Sequence, residues 1–354
     1  MDMDARIPVG VLGATGAVGQ TFVRLLDGHP LFKVAEVAAS ERSAGRTYRE
    51  ATHWLAGDLP ADVADLSVLP CEPGALSSRV VFSALDSSVA GEVEAAFAQA
   101  GAVVLSNAKN HRMDADVPLV IPEVNAAHLG ILDAQRANRG WTGAVVTNAN
   151  CAATMAALAL APLHQAFGLR RVFVTTLQAV SGAGYPGVAS LDILGNVIPF
   201  IGGDEEEKIE TELPKLLGAL ADGAIRPGSF AVSAQVNRVP VEHGHTVCMS
   251  VELEQTATAP EAALALDRWR GDPVCAGLPS APERPVMVTD EANRPQPRKD
   301  VDAGRGMSVV VGRVRPDPIL HLRLVAMGHN TIRGAAGGSV LNAEVMSRLG
   351  LLDG

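Results

Sequence analysis

Cysteine 151 stands at the head of TNANCAATMAALALAPLHQAFG, directly behind Asn148 and Asn150. Asparagine is a favoured helix N-cap, and the Ala- and Leu-rich run that follows stops at Gly168, so the pattern predicts a helix with a thiol in its first turn. A thiol there feels the positive helix end, which lowers its pKa and favours thiolate. The expected chemistry is nucleophilic, against the plain alternative of a small buried core residue. Other polar residues fall at the ends of predicted elements. RRVFVTTLQAVSGAGYPG is a β-branched strand that delivers Gln178 into a glycine loop at Gly182 and Gly184. In NVIPFIGGDEEEKIETELPKLLG, Glu205 and Lys208 are three apart and share one helix face, which also suits an exposed helix. SAQVNRVPVEHGHTVCMSVELE reads as two strands about a glycine connection, with Arg238 and His245 seven residues apart around it. A single histidine is more often structural than catalytic.

The elements that must carry these residues begin with IPVGVLGATGAVGQTFVRLLDGHP, a short strand running into Gly13, Gly16 and Gly19 and then a helix with Phe22, Val23, Leu25 and Leu26 as apolar positions. Such glycines let the backbone turn tightly against a pyrophosphate at the helix N-terminus. The spacing is G-x-x-G-x-x-G. The second strand, FKVAEVAAS, ends in Ser40-Glu41-Arg42-Ser43. Arginine between two serines suits a ribose 2'-phosphate, so NADP is expected over NAD, with Glu41 as the counter-argument. RVVFSALDSSVAGEVEAAFAQAGAVVLSNAKNH then alternates strand, helix and strand, which places Ser83 at a strand's carboxyl end, where cofactors bind.

Composition bounds the rest. A chain of 354 residues with 47% apolar content reads as about two domains with ample core. The start MDMDARIPVGVLG lacks a basic then apolar leader pattern, and the apolar run Ala152 to Pro162 is too short for a bilayer, so a cytoplasmic protein is expected. Cys71, Cys151, Cys248 and Cys275 form no C-x-x-C pair, so no metal site or disulfide framework is expected. A net charge of -10 argues against nucleic acid or anionic membrane as partner, and leaves small anionic substrates allowed.

Together these stretches resemble the archaeal and fungal branch of the aspartate-β-semialdehyde dehydrogenases. GATGAVGQ, SNAKNHRMD, TNANCAAT, LQAVSGAGYPG, LDILGNVIPFIGGDEEEKIETE, NRVPVEHGHT and GHNTIRGAAGGSVLNAEVM occur in order along nearly the whole chain. The resemblance implies Cys151 as nucleophile, Gln178 orienting substrate and intermediate, and His245 as acid/base. It implies Arg238 on the substrate α-carboxylate, Glu205 on its amino group, and Lys208, Arg112 and Asn107 on phosphate. It implies a cofactor held by Gly13, Thr15, Gly16, Ala17, Val18, Ser40, Arg42, Ser43, Ser83, Ser181, Gly182 and Asn330. Lysine, threonine and methionine biosynthesis is the implied context. One departure is Ala149, where the family pattern N-P-N-C-T has proline, and Ala152 and Ala153 stand where hydroxylated residues are expected.

The expected architecture is α/β: a Rossmann-like dinucleotide-binding domain of residues 1–150 with 330–354, and an α/β catalytic and dimerisation domain of residues 151–329. A homodimer or homotetramer is implied. APERPVMVTDEANRPQPRKDVDAGRG is expected as a long surface segment or subunit contact. Besides the phosphorylating NADP-dependent dehydrogenase, two readings stay open: a malonyl-CoA reductase-like enzyme acting on another acyl substrate, and a non-catalytic dinucleotide sensor in which Cys151 is core.

Overall fold

The computed structural model describes residues 6–55 and 57–352; the opening residues, read above for a leader, and the last two of the chain lie outside the described residues. Seven strands build the first sheet: β1 (Ile7–Leu12), β2 (Phe32–Ala39), β3 (Val68–Pro70), β4 (Val80–Ser83), β5 (Val103–Ser106), β6 (Leu119–Val120) and β7 (Ala144–Asn148). All run parallel in the order β3-β2-β1-β4-β5-β7-β6. Valine-rich strands such as β4 and β5 are buried at every position, as a sheet covered on both faces requires. The strand order reverses between β1 and β4, and ligands bind at such a switch point. There Gly13 has φ +68°, and a Cβ on it would meet the Ala84 carbonyl oxygen at 2.5 Å. A Cβ on Gly19 would meet the Gly13 oxygen at 2.2 Å, so the helix Ala17–Leu26 presses on the turn, burying Phe22, Val23 and Leu26.

The second sheet holds β8 (Leu169–Gln178), β11 (Ala231–Arg238), β12 (His245–Leu253), β13 (Val286–Thr289), β14 (Val309–Pro316) and β15 (Leu322–Gly328), in the order β11-β8-β12-β15-β14-β13. A small antiparallel pair, β9 (Ala219–Ala221) and β10 (Ala224–Arg226), stands apart from both. Although β11 and β12 follow one another in sequence, β8 lies between them, parallel to β11 and antiparallel to β12. The Pro- and Arg-rich segment expected at the surface carries β13, which pairs parallel with β14.

The helix Cys151–Phe167 is apolar all round, and every residue from Ala152 to Leu163 is buried, as such a composition demands. It packs in one cluster with Val172 and Val174 of β8, Val247 and Met249 of β12, and Leu213 and Leu216 of the acidic helix Glu205–Leu216. Truncating a leucine such as Leu158 there costs about 2–5 kcal/mol. The C-terminal helix Gly337–Arg348 returns to the first sheet, where Val340, Leu341 and Met346 pack with Val11, Phe22 and Phe82. Cys275, Leu278 and Met307 join that same cluster. Among the described residues no helix is long and apolar enough to cross a membrane.

Candidate active site

Cys151 opens its helix as expected, and Asn150 is the cap: its Oδ1 accepts the N–H groups of Ala152 at 2.9 Å and Ala153 at 3.1 Å. Asn148 has another task. Its Nδ2 donates to Asn107 Oδ1 (3.0 Å) and to the Ala335 carbonyl (2.7 Å), while its Oδ1 accepts from Asn342 (2.6 Å), tying β7 to the C-terminal helix.

Sheet register then brings three predicted side chains to one edge. Arg238 pairs with Gln178 across β11 and β8, and Leu177 pairs with Thr246 across β8 and β12, so the last residues of two strands meet the first residue of a third, His245. His245 is buried, with Nε2 3.1 Å from Cys151 Sγ. Its Nδ1 accepts the Ala179 N–H at 3.1 Å, and the Ala179 carbonyl accepts Arg238 Nη1 at 2.8 Å.

The thiol is not poised as the helix end alone predicts. Burial and the Glu205 carboxylate push it up, to about 12, against the pull of Arg112, Arg238 and the Ala152 N–H. Burial, with Arg238 and His329 nearby, pushes His245 down to about 3. In the free protein at neutral pH the pair is thus thiol and neutral imidazole. The sequence expectation failed because the dipole is a first-turn effect, whereas desolvation comes from elements remote in sequence.

The acidic helix supplies the charged wall. Glu205 accepts from Lys208 Nζ (2.8 Å) and from Asn150 Nδ2 (3.0 Å), and Gln178 Nε2 lies 3.5 Å away. Burial raises the Glu205 carboxyl, but Lys208 and Asn150 outweigh it and hold the group below its ordinary value. Lys208 is held up by Glu205 and Asp204 against burial. Asp204 also pairs with Lys109, across from the loop that follows β5. Cys151, Gln178, Glu205, Lys208 and Arg238 line one cavity of about 330 Å³. Asn107, Arg112 and Lys109 line an adjoining one of about 450 Å³, together with Val18, Ser181, Gly182 and Asn330.

Arg112 is nearly buried and already engaged, donating to Glu212 Oε1 (2.9 Å) and to the Asn107 carbonyl (2.8 Å). Asn107 donates to the Ser83 carbonyl and to Ser339 Oγ. On the dinucleotide side, the turn through Thr15 leads to Gly16, which caps the helix, and the nearest atom to a Cβ there is the Gly13 oxygen at 3.4 Å. Ala17 and Val18 form its first turn, where free N–H groups face the loop. Ser40 and Arg42 are exposed and Ser43 half-buried, in a turn closed by the Ser43 N–H on the Ser40 carbonyl. Asn330 donates to Ser181 Oγ at 2.8 Å and accepts the Gly244 N–H at 2.9 Å. Ser83 departs from its expected role. Its hydroxyl donates to buried Glu94 at 2.6 Å and its side chain is fully covered, so it offers a cofactor no side-chain contact.

Sequence reasoning missed three supports. Glu212, seven residues past Glu205 and so on the same helix face, accepts the Asn150 N–H at 2.5 Å as well as Arg112; that spacing was the available signal. Lys215 donates to the carbonyls of Arg112, Asp114 and Val117. Gly334 lies against the nucleophile: a Cβ there would stand 2.7 Å from Cys151 Cβ, and its loop is anchored by the two-point ion pair of Arg333 with buried Glu123.

The chain matches known proteins over nearly its whole length. The family model described as semialdehyde dehydrogenase, NAD binding domain, matches residues 8–131, and that described as semialdehyde dehydrogenase, dimerisation domain, matches residues 160–333. Aspartate-semialdehyde dehydrogenase of Methanothermobacter thermautotrophicus is 50% identical over 97% of this chain and 99% of its own. The crystal structure of aspartate semialdehyde dehydrogenase with NADP from Candida albicans superposes with a TM-score of 0.89 at 40% identity, covering 97% of this chain and 98% of that one. A malonyl CoA reductase (NADP) of Metallosphaera sedula is 39% identical over 99% of both chains. The chain belongs to the aspartate-semialdehyde dehydrogenase family.

Proposed function

We propose that the protein catalyses the NADP-dependent, phosphate-releasing reduction of L-4-aspartyl phosphate to L-aspartate 4-semialdehyde through a thioester on Cys151. One observation carries this: Cys151 Sγ lies 3.1 Å from His245 Nε2 and lines the same cavity as Arg238, Glu205 and Lys208. A sulfur nucleophile, a proton-handling ring and a charged clamp for an amino acid are the parts that acyl transfer from aspartyl phosphate needs. Arg238 grips the α-carboxylate, Glu205 receives the ammonium, Gln178 orients the acyl group, and Arg112, Lys208 and Asn107 take the phosphate. The Cys151 N–H, next to the Ala152 and Ala153 N–H groups that Asn150 caps, favours the developing oxyanion.

When bound, NADP supplies the hydride. The residues present fit it: Gly16 caps a helix whose N-terminus suits a pyrophosphate, and exposed Ser40 and Arg42 with half-buried Ser43 would take a 2'-phosphate. Asn330, Ser181 and Gly182 would hold the nicotinamide end beside Cys151. Residues 1–150 with 330–354 form the cofactor domain in this reading, and residues 151–329 the catalytic one. The chain works in the cytoplasm as a homodimer or homotetramer; Phe173 and Leu177, 51% and 37% exposed on the open face of β8, suit a subunit contact.

The malonyl-CoA reductase reading has no use for an ammonium-binding carboxylate, and Glu205 is held ionised in the cavity. The test is the initial rate of NADPH formation from L-aspartate β-semialdehyde with and without phosphate. Phosphate-dependent turnover supports the proposal. A folded, NADP-binding protein that turns over malonyl-CoA and not the semialdehyde overturns it.

A further inference from the structure

Arg333 and Glu123 are both buried and meet in a two-point ion pair, Nη1 to Oε1 at 2.6 Å and Nη2 to Oε2 at 2.7 Å. Arg333 Nε has no partner among the described residues, so these two contacts hold the guanidinium. Neither residue lines the cavities at Cys151, and the reaction proposed above gives neither a task. Stability alone does not account for the pair, since an apolar pair of similar volume often serves the fold as well or better. We infer that Glu123 and Arg333 are positioning residues: their pair fixes the turn 330–336 against Cys151 and so sets where the nicotinamide end of the cofactor lies relative to the sulfur. The inference rests on the proposed reaction.

Both arms of the pair lead to the nucleophile. On one side, β6 pairs with β7 through Val120 and Asn148, and Glu123 follows Val120 by three residues as Cys151 follows Asn148. The Glu123 main chain is itself clamped: its carbonyl accepts the Asp272 N–H at 2.9 Å, and a Cβ on Gly271 would stand 2.6 Å from its Cβ. On the other side, Arg333 lies in a wide turn, Ile332–Ala336, where the Gly334 N–H donates to the His329 carbonyl (3.1 Å) and the Ala336 N–H to that of Thr331 (3.2 Å). Such wide turns recur at functional sites. Gly334 comes next and has no room for a Cβ against Cys151, the Ala335 carbonyl accepts Asn148 Nδ2 at 2.7 Å, and Asn330 holds Ser181 Oγ. Asn330, Gly334 and Ala335 line the cavity with Cys151, and Arg333 anchors them from outside it.

The form of the contact suits position more than charge. A guanidinium that meets a carboxylate through two parallel N–H donors fixes orientation as well as distance, which a lysine ammonium, a point charge, does not. Gly338 closes the arrangement, since a Cβ there would stand 2.9 Å from the Arg333 carbonyl oxygen. With the turn held between Cys151, Glu123 and the C-terminal helix, a displacement of about 1 Å at the reacting centre costs on the order of 10²-fold in rate.

The experiment is a single turnover of the full-length protein with NADP and L-aspartate β-semialdehyde in the absence of phosphate. The Cys151 thiol adds across the aldehyde, sulfur to carbon and proton to oxygen. That carbon then gives a hydride to NADP and the hydroxyl gives its proton to His245 and on to solvent, so a thioester stays on sulfur and one NADPH forms per site. Two variants are compared with the parent: Glu123→Leu with Arg333→Met, which removes both charges together and leaves neither buried alone, and Arg333→Lys, which keeps the charge and loses the two-point contact. The rate constant of the NADPH burst should fall about 10–100-fold in the double variant and about 3–10-fold in Arg333→Lys, with the dissociation constant for NADP within about threefold of the parent's. A merely structural pair lowers the burst amplitude, through the fraction folded, but leaves the rate constant within about twofold of the parent's, and that result overturns the inference. Modification of Cys151 by iodoacetamide at about pH 9 reads the turn without turnover, with Cys248 as internal control in mass spectrometry. Cys151 alone should react at least about threefold faster in the double variant, because the turn covers it. An equal change at both cysteines, or none, overturns the inference. A parent that forms no NADPH overturns the proposed function, and the modification rates then still decide whether the pair holds the turn.

Discussion

Glu212 accepts the main-chain N–H of Asn150 at 2.5 Å, one residue before the nucleophile, and with its other oxygen accepts Arg112 at 2.9 Å. A single buried carboxylate therefore ties the cap of the cysteine helix to the guanidinium proposed for phosphate. Glu212→Gln keeps the shape but turns an amide NH₂ toward one of two donors. The expected result is a loss of about 2–3 kcal/mol in urea unfolding, as for a buried polar group left unpaired. A rise in KM for phosphate should accompany it, larger than the change in KM for semialdehyde. Equal effects on both KM values would show that Glu212 acts on the fold alone.

Gly334 packs on Cys151 with no room for a side chain. In Gly334→Ala the new methyl must displace the nucleophile or the Asn330–Gly334 loop, and displacement of a reacting group by about 1 Å costs on the order of 10²-fold. A kcat reduced about 100-fold is expected, with the thermal unfolding midpoint lowered by only a few degrees. Unchanged kcat would mean that the loop yields without moving the sulfur.

The strands that deliver the site were legible because their chemistry is local. Strand runs ending in Gln178 and Arg238, and one beginning at His245, announce strand ends, and the Asn150 cap with the Gly168 stop announces the helix that begins at Cys151. The insertion of β8 between β11 and β12 was not legible, since pairing over some sixty residues leaves no periodic trace. The thiol's acidity was misread for the same reason: Glu205 and the burying elements reach Cys151 only in the folded chain. Ser83 looked available at a strand end, but the buried carboxyl of Glu94 claims it.

Inertness of Cys151 to alkylation does not by itself mark it as core. With the thiol pushed up to about 12, iodoacetamide should react slowly at pH 7 with the free protein and faster as pH rises past the ordinary thiol range. Cys151→Ser should abolish turnover while leaving NADP binding within about threefold, since the hydroxyl is a far weaker nucleophile. Mass spectrometry of the alkylated peptide against pH reads the first outcome. Rapid modification of Cys151 at pH 6 would contradict it.

Buried neutral histidines set the acid limit of the fold. His245 is pushed down to about 3 and His329 to about 4, both chiefly by burial, from an unfolded value near 6.5. Between those values the unfolded chain binds protons that the folded one refuses, so stability is fully present above about pH 6.5 and falls as pH drops toward 4. His329→Gln should flatten that decline, seen as a smaller loss of unfolding free energy between pH 7 and pH 5. A decline as steep as the parent's would assign the acid sensitivity to other groups.

Cofactor choice turns on Arg42, exposed in the Ser40–Ser43 turn with no ion pair of its own among the described residues. Charge-assisted contact with a 2'-phosphate is worth about 1.5–3 kcal/mol, so Arg42→Ala should raise KM for NADP by about 10–100-fold. NAD lacks that phosphate, and its KM should stay unchanged or fall, since Glu41 beside Arg42 accepts ribose hydroxyls once the arginine is gone. Steady-state kinetics with both cofactors separate the cases: a parallel loss with NAD and NADP would mean that Arg42 holds the turn and does not read the phosphate.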